Sequence, residues 1–513
     1  MRKLLATVAV LAVPALAATG CGNTDEAASG ASELVPAGAV VYGEATLKPE
    51  GDQRKAVHSI LAKFPGGGQA GDKLKGLIEK SLRKSDPSVS FEKDIEPWLG
   101  DEAAFFVSDF ITPRGQAANA FLVATDDEEA ARGALEKTSE GKLTHKSYKD
   151  VDYLKDESGD TNTAAVFDGF VVVGTEPGVK AAIDTSKGGA KLSDDDRYKN
   201  SLEKAAGDRL GLIYVDMPGL VKKAQEAGGG ALPGSLTGSI KEPLVATVAA
   251  EDDGVAIEST IGEEAARSFG VLGHGSELLG ELPADSWAAF AQNDFGKLLD
   301  SYVDAFAGVA GGRDAVRQQL QAATGLDLQK DVLDWMGDFG VFVRGKTLSE
   351  LNGALIVETN DESASARFIA ALERLAKGQA DNPGDSVGPL RAPGGGKGFT
   401  VSSPDVPKPI HVFQRNGRVV FAYGDDAAKD GAEASDKLAD SPDFSAASDS
   451  LGDYDVSFYL LMQPILDLVD STDAGSDPDW QKAKPYLEPL SALVAGTSGD
   501  GSDLKSAVKL IVK

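Results

Sequence analysis

Two stretches of this 513-residue chain run in parallel, and that repetition constrains its fold more than any single motif. Residues 34 to about 262 and 281 to 513 match at an offset near 240. Val35-Pro36-Ala37 opens the first stretch as Leu282-Pro283-Ala284 opens the second. Asp94-Ile95-Glu96-Pro97-Trp98-Leu99-Gly100-Asp101 returns as Asp331-Val332-Leu333-Asp334-Trp335-Met336-Gly337-Asp338, each leading into an apolar run. Ala120 to Glu128 and Ala354 to Glu362 both read as a buried strand ending at Thr, followed by an acidic helix start with Thr125 and Thr359 as N-caps.

Turn chemistry supports the same division. Asp168-Gly169 and Asn416-Gly417 are hairpin turns, because a type I′ turn needs positive φ at both central residues. A helix is expected from Ser193, with Ser193-x-x-Asp196 as a capping box, and its counterpart begins Ser441-Pro442. Tyr214 aligns with Tyr459, and each stretch closes on strands around Asp253-Gly254 or Asp500-Gly501. About seven strands and four or five helices per stretch, without strict β-α alternation, give an α+β fold class. The expected architecture is two tandem copies of one domain, each a mostly antiparallel sheet with helices packed on one face. Glu263 to Gly280 reads as a linker, and Pro383 to Gly398 as a loop.

The N-terminus speaks of export. Met1, Arg2 and Lys3 precede an apolar stretch from Leu4 to Ala17, too short for the roughly 20 residues that span a bilayer. Residues 1–20 therefore read as a signal peptide. Ala18-Thr19-Gly20-Cys21 resembles the lipobox of bacterial lipoproteins, in which the cysteine sulfur takes a diacylglyceryl group; Ala18 stands where Leu is usual. Cleavage after Ala15-Leu16-Ala17 is the rival reading. Cys21 is the only cysteine, so no internal disulfide forms, and two acyl chains on it give stable anchoring. Residues 21–33 are small and polar, a flexible tether with a reach of roughly 20 Å.

Composition excludes some partners. Lys plus Arg number 51 and Asp plus Glu 80, a net charge of −29 that repels phosphate backbones, so nucleic acid is not expected. The apolar content of 42% is ordinary for packed domains.

No catalytic pattern keeps its required context. Gly340 to Thr347 fits G-x-x-x-x-G-K-[ST], yet its variable positions, Val341-Phe342-Val343-Arg344, are a strand and not a phosphate-cradling loop. Gly384-Asp385-Ser386-Val387-Gly388 fits a nucleophile elbow but lies between Pro383 and Pro389. Gly66, Gly68 and Gly71 follow a helix rather than a strand. His58, His145, His274 and His411 share no metal-ligand spacing and are expected at or near the surface, and no calcium loop is present. Neither cofactor nor metal is expected. Trp98 and Trp335 are expected as core anchors where helix turns to strand.

The Pro-Ala openings and the W-[LM]-G-D motif, Trp98, Gly100, Asp101 and Trp335, Gly337, Asp338, resemble exported bacterial proteins of the domain of unknown function family 3352. The resemblance covers nearly the whole mature chain and implies no assigned activity. The functional expectation is a non-enzymatic lipoprotein facing outside the cytoplasm, anchored to the membrane by a lipid on Cys21. It binds an envelope protein or an apolar ligand. The alternatives are an enzyme using an acidic inter-domain cleft and a structural spacer of the envelope.

Overall fold

A computed structural model of the chain describes residues 30–85, 89–109, 117–137, 143–156, 162–205, 207–226, 241–262, 275–307, 311–379, 384–499 and 503–513. The signal peptide, Cys21, His274, Pro383, the Asp500-Gly501 turn and residues 263–274 lie outside the described residues. The protein is α+β with extensive antiparallel sheet, and it divides into two compact units, 1–262 and 263–513.

The first unit holds β1 (Val41–Thr46), β2 (Leu99–Asp109), β3 (Ala118–Thr125), β4 (Leu143–Tyr148), β5 (Val151–Asp156), β6 (Asn162–Phe167), β7 (Phe170–Thr175), β8 (Gly211–Val215), β9 (Leu244–Glu251) and β10 (Gly254–Gly262). Antiparallel pairing gives the order β10-β9-β8-β1-β2-β3-β7-β6-β5-β4. The second unit holds β11 (Ala288–Gln292), β12 (Met336–Arg344), β13 (Asn352–Thr359), β14 (Ser386–Pro389), β15 (Lys397–Ser403), β16 (Val406–Arg415), β17 (Arg418–Tyr423), β18 (Asp455–Leu461), β19 (Leu490–Ser498) and β20 (Asp503–Val512). Its order is β20-β19-β18-β11-β12-β13-β17-β16-β15-β14, strand for strand the same. Each unit thus has ten described strands where about seven were expected.

Helices pack on both faces of each sheet, not on one. Successive residues of a strand point to opposite faces, and both sets are buried. In the first unit Tyr42, Phe106, Leu122 and Val172 meet Val179, Ile183 and Tyr198 of helices Glu176–Ser186 and Asp196–Lys204. On the other face Ala103, Val123, Val171 and Val173 meet Ile78 and Leu82 of helix Ala70–Ser85 and Ala131 and Leu135 of helix Glu128–Lys137. The second unit repeats this, with Phe342, Ile356 and Val420 against helix Asp425–Ala432 on one face. Phe339, Val357 and Val419 meet Ile369 of helix Glu362–Gln379 on the other.

Other boundaries also move. Gly30–Glu33 is not tether but a short 3₁₀ turn with Ala31 and Ser32 fully buried. The end of the expected linker likewise belongs to the second unit, where Leu278 and Leu279 enter the core. The N-cap expected at Ser193 is Asp195, whose carboxylate accepts from the amides of Arg197 and Tyr198. Asp127 and Asp361, two residues after the expected Thr caps, accept from Ala130 and from Ser363 and Ala364. Part of the expected loop 383–398 is strand β14. Gly340 to Arg344 lies within β12, Ser386 begins β14, and Gly67–Gln69 is a 3₁₀ turn.

Candidate binding site

The W-[LM]-G-D segments are built alike in the two units. A short π-helix, Phe91–Ile95 or Leu328–Leu333, precedes each tryptophan. The indole Nε1–H donates to the carbonyl four residues back, Trp98 to Asp94 at 2.6 Å and Trp335 to Asp331 at 3.1 Å. Asp94 and Asp331 in turn accept the amides of Ser90 and Asp327 and pair with Lys137 and Arg367. Those contacts hold both carboxyls below their ordinary range against the effect of burial. Gly100 leaves no room for a side chain: a Cβ there would come within 2.8 Å of Ala124. Gly337 is looser, its nearest neighbour being the Glu358 carbonyl at 3.2 Å. Asp101 is exposed, whereas Asp338 accepts from the Ser276 hydroxyl and the Asp294 amide. These residues lock a turn into the core; Trp98 and Trp335 are too buried to offer a stacking face.

His411 is fully buried rather than at the surface, and it carries a polar chain that the sequence did not reveal. Its Nε2 lies 2.8 Å from Asp425 Oδ1 and its Nδ1 3.0 Å from Thr400 Oγ1. A carboxylate only accepts, so Nε2 carries the proton and Nδ1 accepts from the Thr400 hydroxyl, whose oxygen accepts from the Arg391 amide at 2.9 Å. This hydroxyl–imidazole–carboxylate order resembles a nucleophilic relay, but the hydroxyl is buried and engaged at both ends. What the arrangement does is fasten the 391 turn and β15 to the start of helix Asp425–Ala432. Ser386 takes no part in it. His58 and His145 are exposed and separate. Among the described residues no group of His, Cys, Asp or Glu has metal-binding geometry.

A different arrangement emerges from register. On the second unit's sheet face opposite helix Asp425–Ala432, one residue from each of nine strands lies in a row: Phe399, Val412, Phe421, Leu355, Val341, Phe290, Phe458, Ala495 and Val508. All are apolar. Phe399 is 2% exposed, the middle members are half-buried, and Val508 is 37% exposed. Beside them a second row, Val343, Ala288, Leu460, Leu493 and Leu510, is apolar and half-buried too. Phe295, Leu298 and Leu299 of helix Phe295–Ala307 and Phe368 and Leu372 of helix Glu362–Gln379 pack over the inner end, and they also stay partly exposed. An apolar layer that its own helices cover incompletely has the character of a ligand site. No sequence motif marks it.

A family model described as "Protein of unknown function (DUF3352)" matches residues 4–472. Among curated proteins none matches. The crystal form IV structure of TP0453 aligns with 46% of this chain and 83% of its own at 12% identity, with a TM-score of 0.24. No described helix is long and apolar enough to cross a membrane.

Proposed function

This chain belongs to the DUF3352 family of proteins of unknown function, and we propose that it is a non-enzymatic lipoprotein that binds an apolar ligand. In this reading residues 1–20 are removed and a diacylglyceryl group on Cys21 holds the protein to the membrane, facing outside the cytoplasm. Two tandem copies of one α+β domain then stand on a tether ending before Gly30. The duplication is supported by the identical strand order and by Trp98 and Trp335, each bonded to a carbonyl four residues earlier. The observation that carries the binding role is the half-covered apolar layer of the second unit, where burial of an apolar guest would complete the packing. The buried and fully engaged Thr400 hydroxyl argues against the best-formed relay acting on substrate.

The test is the intact mass of the protein purified from its own membrane fraction in mild detergent, before and after organic extraction. A covalent diacylglyceryl addition at Cys21 and an extractable apolar molecule are expected. A chain beginning at Ala18, or one that yields no small molecule, sinks the anchor or the binding role respectively.

A further inference from the structure

We propose that the loop between β14 and β15, residues 390 to 396, binds a phosphate-type oxyanion through the guanidinium groups of Arg391 and Arg415 and the amides of Gly394 and Gly396. The group recognised is the phosphate itself, whether free in solution or the head of a phospholipid. This goes beyond the apolar-ligand role and does not rest on it. Three observations select the occupant.

The first is charge left uncompensated. In a chain of net charge −29 an arginine finds a carboxylate readily, and Arg313, Arg317, Arg344, Arg367 and Arg418 of the second unit each pair with one. Among the described residues the side chains of Arg391 and Arg415 meet no acceptor. Lys397, which opens β15, is exposed and equally unpaired. The second is the backbone. Gly394, Gly395 and Gly396 have φ of 85°, 81° and 133°. A Cβ on Gly394 would run into the Arg415 guanidinium, so glycine is what lets the chain lie against that cation. Arg391 stands three residues earlier, no more than roughly 11 Å along the chain. The amide of Gly395 donates to the Ala392 carbonyl, whereas those of Gly394 and Gly396 donate to no described group. Free amides beside two planar guanidinium forks are the donors that a tetrahedral oxyanion takes. A carboxylate would neutralise only one of the two arginines, and a phosphate dianion neutralises both. The third is preorganisation. The Arg391 amide is bonded to Thr400, and through it to the buried His411 and to Asp425. That chain fixes the base of the loop before an anion arrives, which lowers the ordering cost of binding. The net negative field does not oppose this at short range, because salt at 0.1 M screens it beyond about 10 Å and leaves the adjacent cations to set the local potential.

The first unit supplies the contrast. Its matching strands, β4 and β5, are joined by the two-residue turn Lys149-Asp150, which holds neither glycine nor arginine. The one cation there, Lys149, is paired with Asp184 at 2.6 Å. The site is therefore assigned to the second unit alone.

The experiment is titration with inorganic phosphate at constant ionic strength, then co-sedimentation with phosphatidylcholine vesicles made with and without phosphatidic acid. The full mature chain is used with Cys21→Ser, so that no acyl anchor draws it to vesicles. Arg391→Gln and Arg415→Gln are compared with Arg54→Gln, a first-unit arginine whose side chain is also unpaired. One phosphate per chain is expected, with a dissociation constant raised about tenfold by R391Q and by R415Q and unchanged by R54Q. Circular dichroism checks the fold of each variant; Arg391 is exposed, so R391Q decides the matter if R415Q does not fold. Vesicle binding that needs phosphatidic acid and is lost in R391Q identifies a lipid head group as the source, and phosphate binding without vesicle binding identifies a soluble phosphate. Phosphate binding that R391Q and R415Q leave unchanged, or that R54Q weakens equally, overturns the site. So does failure to bind both inorganic phosphate and phosphatidic acid. None of these outcomes bears on the apolar molecule sought by organic extraction, so the two readings fail separately.

Discussion

The two units share ten strands in one order, yet they differ in what fills the space around them. On the face carrying the W-[LM]-G-D tryptophan, the first unit buries small and medium side chains such as Ala103, Ala164, Val123 and Val173 almost completely. The second places Phe290, Phe421 and Phe458 where the first has Gly43, Val173 and Ile213, and both units keep half-buried aromatic rings in this layer, Phe105 and Phe121 in the first. Polar groups differ position by position as well. Where the first unit has Ser108, the second has Arg344, buried against Phe342 and bonded to Asp285, Asp430 and Asn352. Where the first unit packs Phe170, the second has Arg418 between Glu281 and Glu358. A shared backbone order therefore carries its partly buried ion pairs at different places, Arg197 with Asp216 and Arg209 with Glu44 in the first unit, Arg344 with Asp430 in the second.

That comparison can be broken most directly at the tryptophans. Each Trp→Ala change removes a core anchor at a cost of about 3–5 kcal/mol, and Trp335, at 1% exposure, should sit at the upper end. Urea unfolding read by circular dichroism should show the loss; equal, small effects of W98A and W335A would mean the segments are not structural. Next comes Arg344→Ala, expected to cost about 3 kcal/mol because it leaves Asp430 buried without its partner. Ser108→Ala, at the matching place, should stay within about 0.5 kcal/mol, since its hydroxyl has no partner to lose. Similar costs for the two would erase the claimed difference.

Acid should separate the units further. Glu176 is held down to about 2, chiefly by hydrogen bonds from Lys155 and Lys180. A carboxyl lowered on folding stabilises the fold above its unfolded value, and the support is lost as pH falls from about 4.5 through about 2. The contribution is on the order of 2–3 kcal/mol, and Glu176→Gln should flatten that part of the first unit's pH profile. In the second unit Glu281 is lowered by Arg418 while burial raises Glu358, so the two oppose each other. The smallest effect lies at high pH. Burial pushes Tyr198 and Tyr214 up in the first unit and Tyr459 in the second. Stability held by these neutral phenols is lost as pH rises past the ordinary tyrosine range, from two residues in one unit and one in the other. Replacing Tyr198 or Tyr214 by Phe should remove part of the late phenolate absorbance that appears during alkaline unfolding, and Tyr459→Phe should do the same for the second unit.

Much of this fold was legible where local chemistry decides it. Asp168-Gly169 and Asn416-Gly417 adopt positive φ at both positions, as a type I′ turn requires. Register puts Tyr214 opposite Tyr42 and Tyr459 opposite Ala289, the equivalent alignment read from sequence. The outer strands were not legible, because β4 is Leu-Thr-His-Lys-Ser-Tyr, mostly polar, and β15 follows a glycine run that reads as loop. The second helical layer was hidden for another reason: strands buried on both faces lose the alternation that would show which side is covered. The apolar row across the second unit's sheet was the least readable. Its nine members span residues 290 to 508 and meet only through strand register, so no window of sequence contains them.

Gly43 has a consequence for how such a pair of units diverges. The absence of a side chain at Gly43 is what lets the Phe105 ring lie against its Cα. Any larger residue there displaces the ring, and the counterpart position holds Phe290, with Val341 in place of Phe105. One aromatic ring thus fills this place in each unit, carried by β2 in the first and by β11 in the second. The ring can change strands without disturbing the strand order that the two units share.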